Sequence, residues 1–117
     1  MNRSVLRIDA AAETDRIVQW LKENMRGLRR SGAVLGISGG IDSSVCLALS
    51  VKAFGPERVV ALLLPEKDSD PGSEDLARTL ATHYGVTPVL EAVTPALDGF
   101  GCYARRDEAM ALSLIHI

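Results

Sequence analysis

Hydrophobic positions follow two different patterns along this chain. Between residues 9 and 30 they recur at three- and four-residue steps among Asp, Glu, Lys and Arg, which predicts an amphipathic helix. The positions expected on its buried face are Ile17, Trp20, Leu21, Met25 and Leu28. Residues 33–37 and 58–64 are instead short, continuous apolar runs, as expected of parallel strands that are buried on both faces.

Further elements alternate with these two strands. A second helix is predicted over residues 43–54, because the pattern ends at Gly55-Pro56. A third helix is predicted after the polar turn 66–72, with Asp70 or Ser73 as its N-cap. The positions expected on the buried face of that helix are Leu76, Ala77, Leu80, Ala81 and Tyr84, before a stop at Gly85.

A third strand is predicted over residues 87–93. Pro88 would delete one hydrogen bond of the sheet, so we expect it at an edge or at the start of that strand. Strand–helix–strand–helix–strand with short connections predicts right-handed crossovers and an open parallel sheet. The fold class is therefore α/β and Rossmann-like, with helices on both faces of a sheet of about three strands.

A turn rich in glycine and serine joins the first strand to the second helix. We call residues 36–44 the glycine–serine loop; its members are Gly36, Ile37, Ser38, Gly39, Gly40, Ile41, Asp42, Ser43 and Ser44. The glycines allow backbone N–H groups to approach an anion, and the helix N-terminus and the hydroxyls add donors. A carboxylate at position 42 suits such a site when a divalent cation lies between it and the anion. The loop therefore predicts a bound polyphosphate and a metal ion.

Two other known motifs, the Walker-type phosphate loop and the nucleophile elbow, fit these residues less well. A Walker-type loop needs a lysine beside its last glycine, whereas Lys52 lies almost three helical turns beyond this turn. Residues 36–40 also match G-x-S-x-G, the nucleophile elbow of α/β-hydrolases, but only His83 and His116 follow it and no earlier strand–helix loop supplies oxyanion donors. A γ-phosphate kinase and a serine hydrolase are therefore both disfavoured.

Ser38-Gly39-Gly40-Ile41-Asp42-Ser43 resembles the SGGxDS loop of the ATP pyrophosphatases, the PP-loop superfamily. Two further stretches resemble the NAD synthetases: Gly36-Ile37, which runs into this loop, and Leu62 to Pro65, which a polar turn and Ser73 to Leu76 follow. Synthetases of this family have a similar second strand that ends in a proline, and then a helix that opens with Glu-Asp. The resemblance covers about residues 10–110. It implies an adenine nucleotide alpha hydrolase-like fold.

The same resemblance implies an activity for the parent protein. This is an amide-forming, AMP-producing ligase that converts deamido-NAD, ATP and ammonia to NAD, AMP and pyrophosphate through an adenylated intermediate. It implies ATP and Mg²⁺ as cofactors, residues 36–44 as the nucleotide-binding residues, Asp42 as the metal ligand and no catalytic side chain within this chain. A homodimer is implied at full length. Another PP-loop enzyme, GMP synthetase-like or a sulfur transferase, and an inactive nucleotide-binding fragment stay open as alternatives.

The edge of the sheet beside the glycine–serine loop supplies further candidates. Ligands of open α/β sheets bind at the carboxyl ends of the strands. Val60, Leu62 and Leu64, or the residues that alternate with them along this strand, are therefore expected near an adenine, and Lys67 is placed where it could reach the nucleotide.

The resemblance also divides the chain. Residues 1–111 are expected to form the N-terminal part of a synthetase-like domain, with two further strands and a second metal-binding acid missing. Residues 112–117, Leu-Ser-Leu-Ile-His-Ile, do not continue the family pattern and are expected to be non-native or disordered.

Composition adds a few exclusions. A formal net charge of −2 gives no support to nucleic-acid binding, and no apolar run reaches the length of a membrane span. The two cysteines lack metal-site spacing, so a reducing cytoplasm is expected. Cys46 is expected in the core and Cys102 in a loop, while His83 is expected at a helix C-terminus rather than on a metal.

Overall fold

Helices and strands alternate through most of the chain. The structure, a computed structural model, describes residues 7–115. In chain order its elements are α1 (Ala10–Gly27), β1 (Ala33–Gly36), α2 (Ile41–Phe54), β2 (Val59–Leu63), α3 (Pro71–His83), β3 (Pro88–Leu90), α4 (Thr94–Gly99) and α5 (Cys102–Ile115). A short 3-10 turn, Pro56–Arg58, leads from α2 into β2.

The three strands form one open parallel sheet in the order β1-β2-β3. In its register Ala33 pairs with Val59, and Ala61 pairs with Pro88. Pro88 is thus both the first residue of β3 and a residue of an edge strand, as the sequence predicts. The α/β fold class with a parallel sheet of three strands is confirmed.

The hydrophobic core lies on one face of this sheet. Leu47 of α2 and Ala77 of α3 pack with Ala61 and Leu63 of β2, and all four side chains are almost fully buried. On the other face Val34 is 68% exposed, so the predicted burial of both strand faces is wrong for the described residues. The connections from β1 to β2 and from β2 to β3 each move one strand along the sheet in the same direction. Right-handed connections that advance in one direction place their helices, α2 and α3, on the same face of the sheet.

Helix α1 differs in its boundary and its buried side chain from the prediction. It ends at Gly27 rather than at residue 30, and Arg29 then adopts a positive φ of 54°. Its buried residue is Val18, whereas Trp20 and Leu28 are 56% and 68% exposed. The helix packs against α2, so a single neighbour covers only part of its apolar stripe.

Helix α3 begins and ends at strong local signals. The Asp70 carboxylate accepts a hydrogen bond from the Gly72 amide at 2.9 Å, with Pro71 in the first helical position. The chain leaves the helix through Gly85, whose φ is 71°. Asp70 is therefore the N-cap. Leu76 was expected in the core but is 62% exposed, because the core side of α3 is formed by Ala77 and Ala81.

The C-terminal part contains two helices, α4 and α5, that the hydrophobic pattern does not predict. Cys102 is the first residue of α5 rather than part of a loop, and Cys46 is exposed on α2, so its expected core position is wrong. Helix α5 continues through residues 112–115 of the expected tail, and residues 116–117 lie outside the described part. The non-native origin of that tail stays a prediction.

Within residues 7–115, no helix is both long and apolar enough to span a bilayer.

Candidate functional site

The glycine–serine loop lies where the carboxyl ends of β1 and β2 meet. Beyond the end of β1, the Ile37 amide donates to the Leu62 carbonyl at 2.9 Å, so the ladder continues to the edge of the loop. The Ile37 side chain is 4% exposed and anchors the loop in the core. The turn that follows is consequently held at a fixed position above the sheet.

Gly39 is the residue that allows the turn to approach α3. Its φ is 81°, in the region that side chains other than glycine rarely adopt. A Cβ at this position would lie 2.7 Å from the Ser73 carbonyl oxygen and 3.1 Å from the Leu76 Cβ. Both the backbone conformation and the space available therefore require glycine here.

Three hydroxyl groups are engaged inside the loop itself. The Ser43 hydroxyl accepts from the Ser38 amide at 3.1 Å and donates to the Gly40 carbonyl at 3.1 Å. The Ser44 hydroxyl donates to the same carbonyl at 2.7 Å, and the Ser38 hydroxyl lies 3.1 Å from that of Ser43. These serines shape the turn, so an incoming anion would have to exchange these bonds before it could use their protons.

The backbone amides at the start of α2 are the donors that remain. Gly40 caps the helix without a side-chain hydrogen bond, and the first amide bonded to the cap is that of Ser44, at 3.1 Å from the Gly40 oxygen. The amides of Ile41, Asp42 and Ser43 precede that bond. Together with the helix dipole they form a site suited to a negatively charged group.

A cleft of about 540 Å³ opens beside this loop. Its other wall is the segment between β2 and α3, residues 64–70, which we call the β2–α3 loop. The residues that line the cleft are Gly36, Ile37, Ser38, Leu62, Leu63, Leu64, Pro65, Glu66, Ser69, Asp70, Pro71, Ser73 and Glu74. The lining thus combines leucine and proline side chains with carboxylates and hydroxyls, a set of groups suited to a ligand with an apolar ring and a polar tail.

The predicted site residues occupy two parts of this region. Gly36, Ile37 and Ser38 line the cleft, and the loop continues from them through Gly40 into the first turn of α2. Leu62 and Leu64 line the cleft as expected, but Val60 lies outside its lining. The roles of residues 36–44 toward a ligand stay predictions.

Lys67 does not extend toward the cleft. Its Nζ lies 3.8 Å from the ring centroid of Tyr103 on α5, so its ammonium group is engaged in a cation–π contact, and Lys67 does not line the cleft. The expectation that Lys67 reaches a nucleotide therefore has no support in this conformation. Tyr103 itself carries no motif, and its position beside this loop could not have been recognised from the sequence.

Asp42 fits a metal ion only if other ligands come from outside the chain. Its side chain is exposed on the first turn of α2. Among residues 7–115 no group of three or more His, Cys, Asp or Glu side chains could hold a metal ion. Mg²⁺ commonly takes one or two carboxylates and completes its shell with phosphate oxygens and water, so one exposed carboxylate beside an anion site is compatible with it.

The fold and the loop define a Rossmann-like α/β domain whose first strand runs through a glycine–serine turn into a helix. A sequence model described as NAD synthase matches residues 13–111. The chain therefore belongs to the NAD synthase family.

Curated relatives are similar over most of this chain. The NH3-dependent NAD+ synthetase of Rhizobium meliloti is 55% identical over 102 residues, which cover 87% of this chain and 30% of the relative. The NH3-dependent NAD+ synthetase of Rhizobium rhizogenes is 46% identical over 109 residues, which cover 92% of this chain and 33% of the relative. The chain thus spans about a third of the length of these relatives.

Solved structures are similar to the same region. The NH3-dependent NAD synthetase of Campylobacter jejuni, in complex with nitrate, has a TM-score of 0.73 and 28% identity over 80% of this chain and 40% of its own. The glutamine-dependent NAD+ synthetase of Acinetobacter baumannii, in complex with ADP, has a TM-score of 0.70 and 33% identity over 80% and 18%. The NMN synthetase of Francisella tularensis has a TM-score of 0.76 and 26% identity over 86% and 41%.

Proposed function

We propose that this chain forms the ATP-binding part of an ammonia-dependent NAD synthetase. The whole protein would be an amide-forming ligase that converts deamido-NAD, ATP and ammonia to NAD, AMP and pyrophosphate. The observation that carries the proposal is the group of amides at the start of α2, which lies next to a cleft with an apolar wall. Membership of the NAD synthase family supports the choice of reaction.

In this proposal the two parts of the site bind different ends of ATP. The β- and γ-phosphates lie against the amides of Ile41, Asp42 and Ser43, and the adenine lies in the cleft against Leu62 and Leu64. Asp42 holds Mg²⁺, which supplies positive charge to the phosphate oxygens. The leucine side chains in the cleft lining, Leu62 and Leu64, support this placement of the adenine.

The reaction needs no nucleophile from the chain. A carboxylate oxygen of deamido-NAD attacks the α-phosphorus, the bond from that phosphorus to the bridging oxygen breaks, and pyrophosphate leaves with the electron pair. Ammonia then attacks the activated carbonyl, AMP leaves, and the excess proton passes to solvent. The loop acts in the first step, because amides aimed at the departing phosphates stabilise the charge that develops there.

The chimaera that tests this function has residues 13–111 in place of the aligned segment of the Rhizobium meliloti synthetase. With ATP, deamido-NAD and ammonium chloride we expect NAD, AMP and pyrophosphate in equal amounts. Asp42→Asn should lower the rate at least tenfold and raise the Mg²⁺ requirement, because a carboxylate binds the ion far better than an amide. Asp15→Asn, at an exposed position of α1, is the matched control and should leave both unchanged. Formation of ADP, or of no NAD, refutes the proposal.

A second candidate product follows from one similarity. The Francisella tularensis protein is an NMN synthetase, and its TM-score of 0.76 is higher than those of the two NAD synthetases described above. The parent protein would then amidate a mononucleotide in place of a dinucleotide. Parallel assays of the chimaera with both acceptors decide between them, since the preferred one has the higher kcat/KM.

The 117-residue chain also allows a direct test of the nucleotide site. Titration calorimetry with Mg·ATP should detect binding to the isolated chain without release of pyrophosphate. Binding without turnover would identify this chain as a nucleotide-binding module, whereas no binding would refute the proposed site.

We further propose a cytoplasmic location and a homodimer for the whole protein. Cys46 and Cys102 are both free, which supports a reducing compartment. The exposed Trp20 on α1 and Leu28 just after this helix offer apolar surface for a subunit contact. Sedimentation equilibrium of the chimaera tests the second proposal, and a monomer at micromolar concentration would refute it.

A further inference from the structure

The β2–α3 loop is attached to one turn of α5 by three consecutive residues. The Tyr103 hydroxyl donates to Glu66 Oε2 at 2.7 Å. Lys67 Nζ lies over the Tyr103 ring at 3.8 Å from its centroid. Arg106, one turn further along α5, donates from Nη1 to Asp68 Oδ2 at 2.6 Å. Each of these loop side chains is thus directed at α5.

Tyr103 is the centre of this contact. Its side chain is 7% exposed, although it belongs to a helix whose other residues are mostly exposed. Lys67 and the Arg106 guanidinium, 5.1 Å from the ring centroid, both approach its aromatic ring. A buried tyrosine with its hydroxyl bonded and its ring contacted by two cations has little freedom to move.

Glu66 connects this contact to the cleft. One carboxylate oxygen accepts from Tyr103, and the other, Oε1, accepts from the Asp68 amide at 2.9 Å. The Ser69 amide donates to the Glu66 carbonyl at 2.9 Å, and the Glu66 amide donates to the Ser69 hydroxyl at 3.0 Å. Glu66 and Ser69 both line the cleft. The hydrogen bond from Tyr103 therefore holds the Glu66 carboxylate in place, and the other hydrogen bonds of Glu66 shape this wall of the cleft.

We propose that Tyr103 is a positioning residue, which holds the β2–α3 loop through Glu66 in the conformation that closes one wall of the nucleotide cleft. The proposal rests on the proposed function, because it takes the cleft to receive ATP. Tyr103 acts from outside the cleft, and it affects the nucleotide through the shape of the wall. Lys67 and Arg106 orient the tyrosine and the loop toward each other.

The experiment compares Tyr103→Phe with Tyr84→Phe in the 117-residue chain. Tyr84 is the other tyrosine of the sequence, and its hydroxyl makes no hydrogen bond within the described residues, so it is the matched control. In Tyr103→Phe the amides of Asp68 and Ser69 should exchange with deuterium on the order of tenfold faster, since a hydrogen bond to a charged carboxylate is lost. In a Glu66→Ala background the same substitution should change the exchange no further.

Nucleotide binding by the same variants is measured by calorimetry with Mg·ATP. Tyr103→Phe should raise the Kd about three- to tenfold, and Tyr84→Phe should leave it unchanged. In the chimaera, Tyr103→Phe should raise KM for ATP and leave kcat within about twofold, because Tyr103 touches no reacting atom. A fall in kcat with an unchanged KM would overturn the positioning role.

The outcomes of these experiments distinguish a failure of the positioning role from a failure of the proposed function. If the wild-type chain does not bind Mg·ATP, the proposed nucleotide site is wrong and the positioning role falls with it. If the wild type binds and Tyr103→Phe binds equally well, the positioning role alone is wrong, even where loop exchange is faster. Unchanged exchange in Tyr103→Phe also refutes it, because the loop would then be held by other contacts.

Discussion

The two walls of the cleft are stabilised by hydrogen bonds of different range. In the glycine–serine loop every side-chain hydrogen bond joins residues two to five positions apart, with Ser43 at the centre. The β2–α3 loop also has local bonds, between Glu66 and both Asp68 and Ser69, but the bonds from Tyr103 and Arg106 join it to residues 37 and 38 positions away. The first wall has a shape that its own sequence encodes, whereas the second needs α5 to be in place.

This difference has a consequence for motion. A turn closed by local bonds loses little additional entropy when it binds a ligand, so it can be rigid before a ligand arrives. A loop attached to a distant helix opens whenever that helix shifts, and such loops belong to the less stable parts of a structure. We therefore expect the glycine–serine loop to determine whether phosphate binds and the β2–α3 loop to determine how tightly the cleft closes.

The largest expected effect is at Gly39, where the glycine–serine loop contacts α3. Gly39→Ala should lower the free energy of unfolding by about 3 kcal/mol, because a positive φ and a close carbonyl both oppose a Cβ. Urea unfolding measures the change. Gly27→Ala is the matched control, since a Cβ there meets nothing within 4 Å, and it should be neutral or slightly stabilising. Equal effects of the two substitutions would show that Gly39 is not constrained.

A smaller effect is expected for the hydroxyl at the centre of the local network. Ser43→Ala removes the acceptor of the Ser38 amide and one donor to Gly40, and should cost about 1 kcal/mol of unfolding free energy. Deuterium exchange at residues 64–70 should be unchanged, because that loop is held by α5. The control is Ser50→Ala, further along α2. Faster exchange in the β2–α3 loop would show that the two walls are coupled.

The smallest effect is expected from pH and concerns the second wall. Burial, and next the hydrogen bond to Glu66, raise the pKa of Tyr103 above its usual value. A raised pKa means that the folded state holds the phenolic proton more tightly than the unfolded state. The resulting stability is complete below the pKa of an unfolded tyrosine, about 10, and is lost as the pH rises through the folded value.

Urea unfolding between pH 8 and pH 11 measures this alkaline loss of stability. The wild type should lose more stability over that range than Tyr103→Phe does, while Tyr84→Phe should follow the wild type. If Tyr103→Phe and the wild type had the same pH dependence, the Tyr103 hydroxyl would contribute nothing to the attachment of the loop.

Much of the central fold could be predicted, since its signals are local. The alternation of apolar runs and polar turns predicted β1, α2, β2 and α3 within a few residues, and Gly85 and Asp70 marked the ends of α3 correctly. The face of the sheet that is buried could not be predicted in this way. A run such as β2 is apolar at every position, so its sequence does not show that Val60 is exposed while Ala61 is buried.

The candidate site likewise contains one part that local interactions form and one part that contacts between distant residues form. The turn from Gly36 to Ser44 is encoded locally, because its glycines, hydroxyls and helix start interact with one another over a few residues. Three other contacts depend on the packing of the whole fold: Lys67 lies over Tyr103, Glu66 is bonded to α5, and Gly39 lies against Ser73. These contacts join residues far apart in the chain, and the packing of whole elements, which no local pattern encodes, brings them together.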